Sequence, residues 1–150
     1  MQAFPELVRR HRVDPGPLVH VGGLQDRAIP AFYEAGFFDI TVVDSDPERV
    51  RALRTRFPGV DFSTEGAERI DAASVLVINT PGYELDLLSF VPWGNLTLLI
   101  VATNTKDGDS AVSSYDLVTE LVTTRGFIEV DRWTREPYDG ADTNVAFLRP

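Results

Sequence analysis

Apolar residues in this chain fall into short unbroken runs, separated by segments in which they recur every three or four positions. Leu18 to Val21, Ile40 to Val43, Ser74 to Ile78 and Leu96 to Ala102 are runs of strand length with almost no polar alternation. Apolar side chains on both faces are what a parallel strand covered by helices requires. Phe4, Leu7 and Val8 sit at helical spacing within residues 2–13, which close at Asp14-Pro-Gly-Pro17. A helix over 27–35 holds Pro30 in its first turn and stops at Gly36. Asp46 is placed to cap a helix opened by Pro47, with Val50, Leu53 and Phe57 facing inward before Pro58-Gly59 ends it. Val60 to Phe62 predict a short strand, and Ala67 to Ala72 a short helix or turn. Tyr83 to Phe90 and Ser113 or Ser114 to Thr124 predict two more helices, the last closed by Gly126.

Phe127 to Thr134 and Thr143 to Leu148 predict the final two strands. Only the turn-forming stretch Arg135-Glu-Pro-Tyr-Asp-Gly-Ala-Asp142 joins them, too short for a right-handed parallel crossover, so this pair is expected to be antiparallel. The fold class is therefore α/β: a Rossmann-like, mostly parallel sheet with a C-terminal antiparallel hairpin. A length of 150 residues suits one domain over 1–150, in which 1–16 form an N-terminal helix and turn.

Composition narrows the chemistry. A hydrophobic content of 43% supports an ordinary core, and the absence of cysteine removes disulfides, zinc–thiolate sites and thiol nucleophiles. It also suits a reducing compartment. The two histidines, His11 and His20, build neither a metal site nor a serine triad. No window approaches the roughly 18 apolar residues of a membrane span, and the N-terminus lacks a signal-peptide pattern, so a cytoplasmic protein without a membrane is expected. A net charge of −9 repels phosphate backbones, and no direct nucleic-acid partner is expected. Arg9, Arg10 and Arg12 read as a solvated face. A homo-oligomer formed through a sheet edge stays open.

Gly22-Gly23 follows a strand and precedes a helix, where glycines let a cofactor's polar tail approach the backbone. Asp44, at the end of the second strand, is placed to accept hydrogen bonds from both ribose hydroxyls. Together they point to an adenosine-type cofactor. The run Gly-Gly-Leu-Gln-Asp-Arg27 lacks the G-x-G-x-x-G spacing, so the motif alone is weak and a tight strand-to-helix turn is its rival, but the strand context favours cofactor contact. His20, inside an apolar strand, reads as a core or rim residue. Tyr83 and Trp93 are expected to pack. Glu84 opens a helix, where the dipole favours a carboxylate in any case.

The segment Ile78-Asn-Thr-Pro-Gly-Tyr-Glu-Leu-Asp-Leu-Leu88 resembles the hallmark of FkbM-type S-adenosylmethionine-dependent methyltransferases, a strand running into Ile-Asp-x-(Glu or Gln)-Gly-(Tyr/Phe/Ala)-Glu. His20-Val-Gly-Gly23 is similar to that family's first-strand motif, and Val43-Asp-Ser-Asp-Pro47 to its motif after the second strand. Thr105-Lys106, Arg125-Gly-Phe127 and Asn144-Val-Ala-Phe-Leu-Arg149 continue the likeness in order to the end of the chain. The resemblance implies a class I methyltransferase fold, S-adenosyl-L-methionine as cofactor, and a hydroxyl on a sugar, glycan or small metabolite as acceptor. It places the cofactor on Gly22, Gly23, Asp44 and Asn79, with Glu65 or Ala67 bordering the adenine by position after the third strand. Asn79, Gly82 and Glu84 would face the transferred methyl group, Asn79 positioning the acceptor and Glu84 serving as its base. Four positions depart from the pattern. Asp26 stands where the family has a glycine, Asn79 where it has an aspartate, Pro81 where it has an acid or amide, and Ala102 where a glutamate is common. The stretch between strands three and four is also short. These departures favour a rival reading, a catalytically silent module used for binding or assembly. A second rival, an NAD-dependent oxidoreductase, is opposed by the missing G-x-G-x-x-G and by the terminal hairpin.

Overall fold

A computed structural model describes residues 3–25, 27–65, 70–105, 114–138 and 141–150, the side chains of 136–138 excepted. Seven strands form one sheet: β1 (Leu18–Gly22), β2 (Ile40–Val43), β3 (Asp61–Ser63), β4 (Val75–Asn79), β5 (Leu98–Thr103), β6 (Ile128–Tyr138) and β7 (Ala141–Leu148), in the order β3-β2-β1-β4-β5-β7-β6. The first five strands run parallel, β7 is antiparallel to β5, and β6 is antiparallel to β7. The chain builds outward from β1 to β3, then returns to lay β4 against the other side of β1. That reversal makes the β1–β4 boundary the switch point of the sheet, where open α/β folds form their crevice.

Five described helices cover the two faces: α1 (Ala3–His11), α2 (Ala28–Glu34), α3 (Pro47–Arg56), α4 (Glu84–Leu88) and α5 (Ser114–Thr124). Side chains of α1, α2 and α3 join Leu18, Val42, Val75, Val77, Leu98 and Ile100 in one buried cluster. Phe4 packs edge-on against Phe32 with ring centroids 5.0 Å apart, which docks α1 on α2. On the opposite face Leu88, Val118 and Val122 pack with Val19, Leu76, Ile78, Leu99 and Val101. The strand runs are therefore apolar throughout because each has a helix layer on either side.

Helix α3 starts where the sequence places its cap. The Asp46 carboxylate accepts the Glu48 N–H at 3.0 Å and the Arg49 N–H at 3.5 Å, and Pro47 fills the first helical position. Asp46→Ala is expected to cost about 1 kcal/mol, lowering the melting temperature by roughly 2–4 °C in a thermal scan.

The terminal hairpin is antiparallel as predicted, but its strands are longer than expected. The stretch read as a turn over 135–142 largely continues β6 to Tyr138 and resumes in β7 at Ala141. The register shifts between Thr134 and Tyr138, so residues 135–138 are absorbed by an irregular edge strand. Pro137 is tolerated there because β6 lies at the sheet edge.

Candidate functional site

The carboxyl ends of β1, β2 and β4 finish level with one another. Val21 pairs with Val43 on one side and Ile78 on the other, and Gly22 pairs with Asn79. Gly22, Gly23, Asp44 and Asn79 therefore emerge on one rim at the switch point. At the end of β3, Ser63 accepts the Asp44 N–H at 3.0 Å through its carbonyl, and its hydroxyl accepts the Glu65 N–H at 3.1 Å. That places Glu65 on the same rim, one strand further out. Asp26 and Ala67 lie outside the described residues, as does Lys106. Two open hollows of about 410 and 310 Å³ lie along Arg12, Val13 and Asp14 at the other end of the strands and share no residue with this rim.

Asp44 is buried, and its carboxylate is already engaged. Oδ1 accepts the Asp46 N–H at 3.0 Å, while Oδ2 accepts from Arg49 Nη1 at 3.1 Å. The Arg49 side chain is 47% exposed against 6% for Asp44. An ion pair with one partner half in solvent contributes on the order of 1 kcal/mol or less. A ribose diol offers two hydrogen bonds of the kind such a charged acceptor takes. The Asp44 carboxylate is an acceptor of the kind a ribose diol takes, and in this structure Arg49 holds one of its oxygens.

The two glycines differ in kind. Gly22 has φ +100°, and a Cβ built on it would lie 1.9 Å from the Asn79 carbonyl oxygen. The chain's own backbone demands glycine at this position. At Gly23 a Cβ would meet nothing nearer than Asn79 Nδ2 at 3.4 Å, so the approach to that residue is open.

Asn79 is a structural bridge as well as a rim residue. Its Nδ2 donates to the Gly23 carbonyl at 2.6 Å, and its Oδ1 accepts from Arg135 Nη1 at 3.2 Å. An ionised aspartate at 79 has no proton for the Gly23 carbonyl, which gives a physical reason for an amide here. Arg135 was not legible as a site residue, because the sequence placed it in a connecting turn. The signal, visible only with the fold, is the small Ala102 facing the same side. Arg49 was missed for a like reason: its reach back to Asp44 depends on how α3 begins.

Glu84 is the first residue of α4, which packs on the face opposite α2. A turn bonded from Tyr83 N–H to the Thr80 carbonyl at 2.8 Å carries the chain from β4 to it, with Gly82 at φ +88°. Asn79 and Glu84 share no hydrogen bond. Glu84 is 5% exposed, and its Oε2, like Thr80 Oγ1, has no hydrogen-bond partner among the described residues. Such buried acceptors cost about 1–3 kcal/mol each until a donor reaches them. Tyr83 corrects an expectation: it is 67% exposed, since it precedes α4 and lies off the inward face of Leu85 and Leu88. Trp93 does pack, edge-on to Phe127 at 5.6 Å. His20 faces Phe32 within the core, and burial first, then the Arg135 charge, lowers its pKa to about 4. Among the described residues no three His, Asp or Glu side chains converge on a metal position, and no helix is long and apolar enough to cross a membrane.

Solved structures share this architecture over nearly the whole chain. The Thermoplasma acidophilum 1320 protein matches with a TM-score of 0.67 at 17% identity, covering 97% of this chain and 82% of that one. The 1,6-didemethyltoxoflavin-N1-methyltransferase of Burkholderia thailandensis, solved with S-adenosylhomocysteine, gives 0.64 at 17% identity over 99% and 77%. The 23S rRNA methyltransferase ErmE gives 0.64 at 13% over 99% and 68%. The chain has the class I methyltransferase fold. No protein-family model and no curated protein matches its sequence. Within the methyltransferase fold, the rim of Gly23, Asp44 and Asn79 occupies the crevice at the switch point, and Thr80 to Glu84 flank it on the β4 side.

Proposed function

We propose that this chain binds S-adenosylmethionine across Gly23 and Asp44 and methylates a hydroxyl of a sugar, glycan or small metabolite, in the manner of FkbM-type enzymes, in the cytoplasm. The observation that carries the reading is the buried Asp44 carboxylate at the crevice, held by a half-exposed arginine that a ribose can displace. When bound, the cofactor supplies an electrophilic methyl group on a sulfonium. The chain's own part is to hold, orient and deprotonate. Asp44 takes the ribose hydroxyls, Gly23 leaves room for the amino-acid tail, and Glu65 or Ala67 borders the adenine. Asn79, with both ends of its amide used inside the chain, holds the glycine turn rather than the acceptor. The unpartnered Oε2 of Glu84 and Oγ1 of Thr80 offer acceptor positions for a hydroxyl, and Glu84 takes its proton.

One observation favours a silent binding module instead. Arg49 and Arg135 bring two positive charges to Asp44 and Asn79, at a rim meant for a cationic sulfonium. Titration calorimetry separates the readings. S-adenosylmethionine and S-adenosylhomocysteine are expected to bind with Kd on the order of micromolar, about −8 kcal/mol, and NAD not at all. Asp44→Ala is expected to weaken both by at least about tenfold. Absence of heat with either adenosyl ligand supports the module and overturns the proposal, and binding of NAD alone returns the oxidoreductase.

A further inference from the structure

Among the described residues, the buried side chain of Arg135 carries the C-terminal hairpin to the cofactor rim. Alternation along each strand puts Val77 and Asn79 of β4, Ile100 and Ala102 of β5, and Trp133 and Arg135 of β6 on the face that carries α2. Two strands, β5 and β7, separate β4 from β6. Arg135 nevertheless meets Asn79, and three features allow it. Ala102, one residue past the Ile78–Val101 pair and directly opposite Asn144, leaves the row between them low. The register of β6 shifts just after Thr134, which re-aims the strand at this point. The arginine side chain is long enough to cross the remainder.

We propose that Arg135 is the positioning residue that sets the Asn79 amide and, through it, the Gly22–Gly23 turn of the cofactor rim. This rests on the adenosyl-cofactor reading given above. A guanidinium only donates, so the Asn79 atom that meets Arg135 Nη1 at 3.2 Å must be Oδ1. That leaves Nδ2 to face the Gly23 carbonyl at 2.6 Å. In the flipped orientation an amide oxygen would oppose the Gly23 carbonyl and an N–H would oppose the guanidinium. Arg135 and the Gly23 carbonyl therefore select the same one of two amide orientations, the one that ties the Gly23 carbonyl to the β4 side chain. The backbone bond from Gly23 N–H to the Asn79 carbonyl, 3.2 Å long, then closes the turn from its other side. Burial strengthens the effect, because Arg135 is largely withdrawn from solvent and its bond is charge-assisted. His20, on the same face of β1, feels the same charge.

A double-mutant cycle on S-adenosylhomocysteine affinity tests the assignment. Arg135→Leu and Asn79→Ala are each expected to weaken binding about tenfold, and the double variant no more than either alone. Arg135→Lys, which keeps a charged donor, is expected to stay within about threefold of wild type. A general loss of structure has no reason to vanish in the Asn79→Ala background. Wild-type affinity in Arg135→Leu overturns the proposal, and so does a double variant whose losses multiply to about a hundredfold. A second readout needs neither ligand nor variant. In the NMR spectrum of the wild-type protein, Asn79 Nδ2 protons and an Arg135 guanidinium proton are expected to be protected from solvent exchange, and freely exchanging signals overturn the proposal. If wild-type protein binds neither adenosyl ligand, the cofactor reading fails by itself, and these resonances still decide the role of Arg135.

Discussion

Gly22→Ala is expected to destabilise the protein by roughly 4 kcal/mol or more, enough to lower its melting temperature by about 8–16 °C. Two costs add. A φ of +100° is strained for any L side chain, at about 1–3 kcal/mol. The new methyl would also stand 1.9 Å from the Asn79 carbonyl oxygen and 2.6 Å from its carbon. Those are backbone atoms of β4, so relief requires parting the ends of β1 and β4 at Gly22↔Asn79, where the Gly23 N–H also bonds. Gly82→Ala is the internal control. Its φ is +88°, yet nothing lies within 4 Å of the added methyl, so only the dihedral cost applies, about 1–2 kcal/mol. Urea unfolding followed by circular dichroism measures both. Equal losses would mean that the end of β1 is not seated on Asn79. The expected inequality shows that the glycine at 22 answers to the strand behind it.

The sheet was legible because burial on both faces leaves an unmistakable trace. Ile40 to Val43 and the core of β4 have no polar alternation to confuse them, and Asp46-Pro47 marks a helix start by local chemistry alone. The antiparallel sense of the last pair followed from chain length between the strands. Its extent did not, because Pro137 signals a turn wherever it occurs, and only the edge position of β6 lets the strand run through it to Tyr138. The rim divides in the same way. Asp44 and the glycines lie where a strand ends, so position in the sequence is position on the rim. Arg49 and Arg135 act across space: one folds back over the first turn of α3, the other spans two strands. Neither carries a mark in its neighbours. Tyr83 misled for a related reason, since whether an aromatic packs depends on which residue opens the helix.

His20 makes stability depend on pH in a window where most carboxylates are silent. Buried on the α2 face with its Nδ1 unpartnered, it has a folded pKa lowered to about 4, against 6.5 for an exposed imidazole. Above pH 6.5 both folded and unfolded chains hold it neutral, and it contributes no pH dependence. Between pH 6.5 and about 4 the unfolded chain takes up a proton that the folded chain refuses, so stability falls as the solution is acidified. The full difference corresponds to about 3 kcal/mol, at about 1.4 kcal/mol per pH unit within the window. Below about 4 the folded protein also binds the proton and this contribution levels off. Urea midpoints at pH 7, 6 and 5 measure the slope, and His20→Gln is expected to flatten it by about 2 kcal/mol between pH 6.5 and 5. The His20 ring resonances, followed by NMR in the wild-type protein, are expected to stay at their neutral shifts down to pH 5. A midpoint near 6.5 would mean that the ring is solvated or paired with an acid, and that the charge of Arg135 does not reach it.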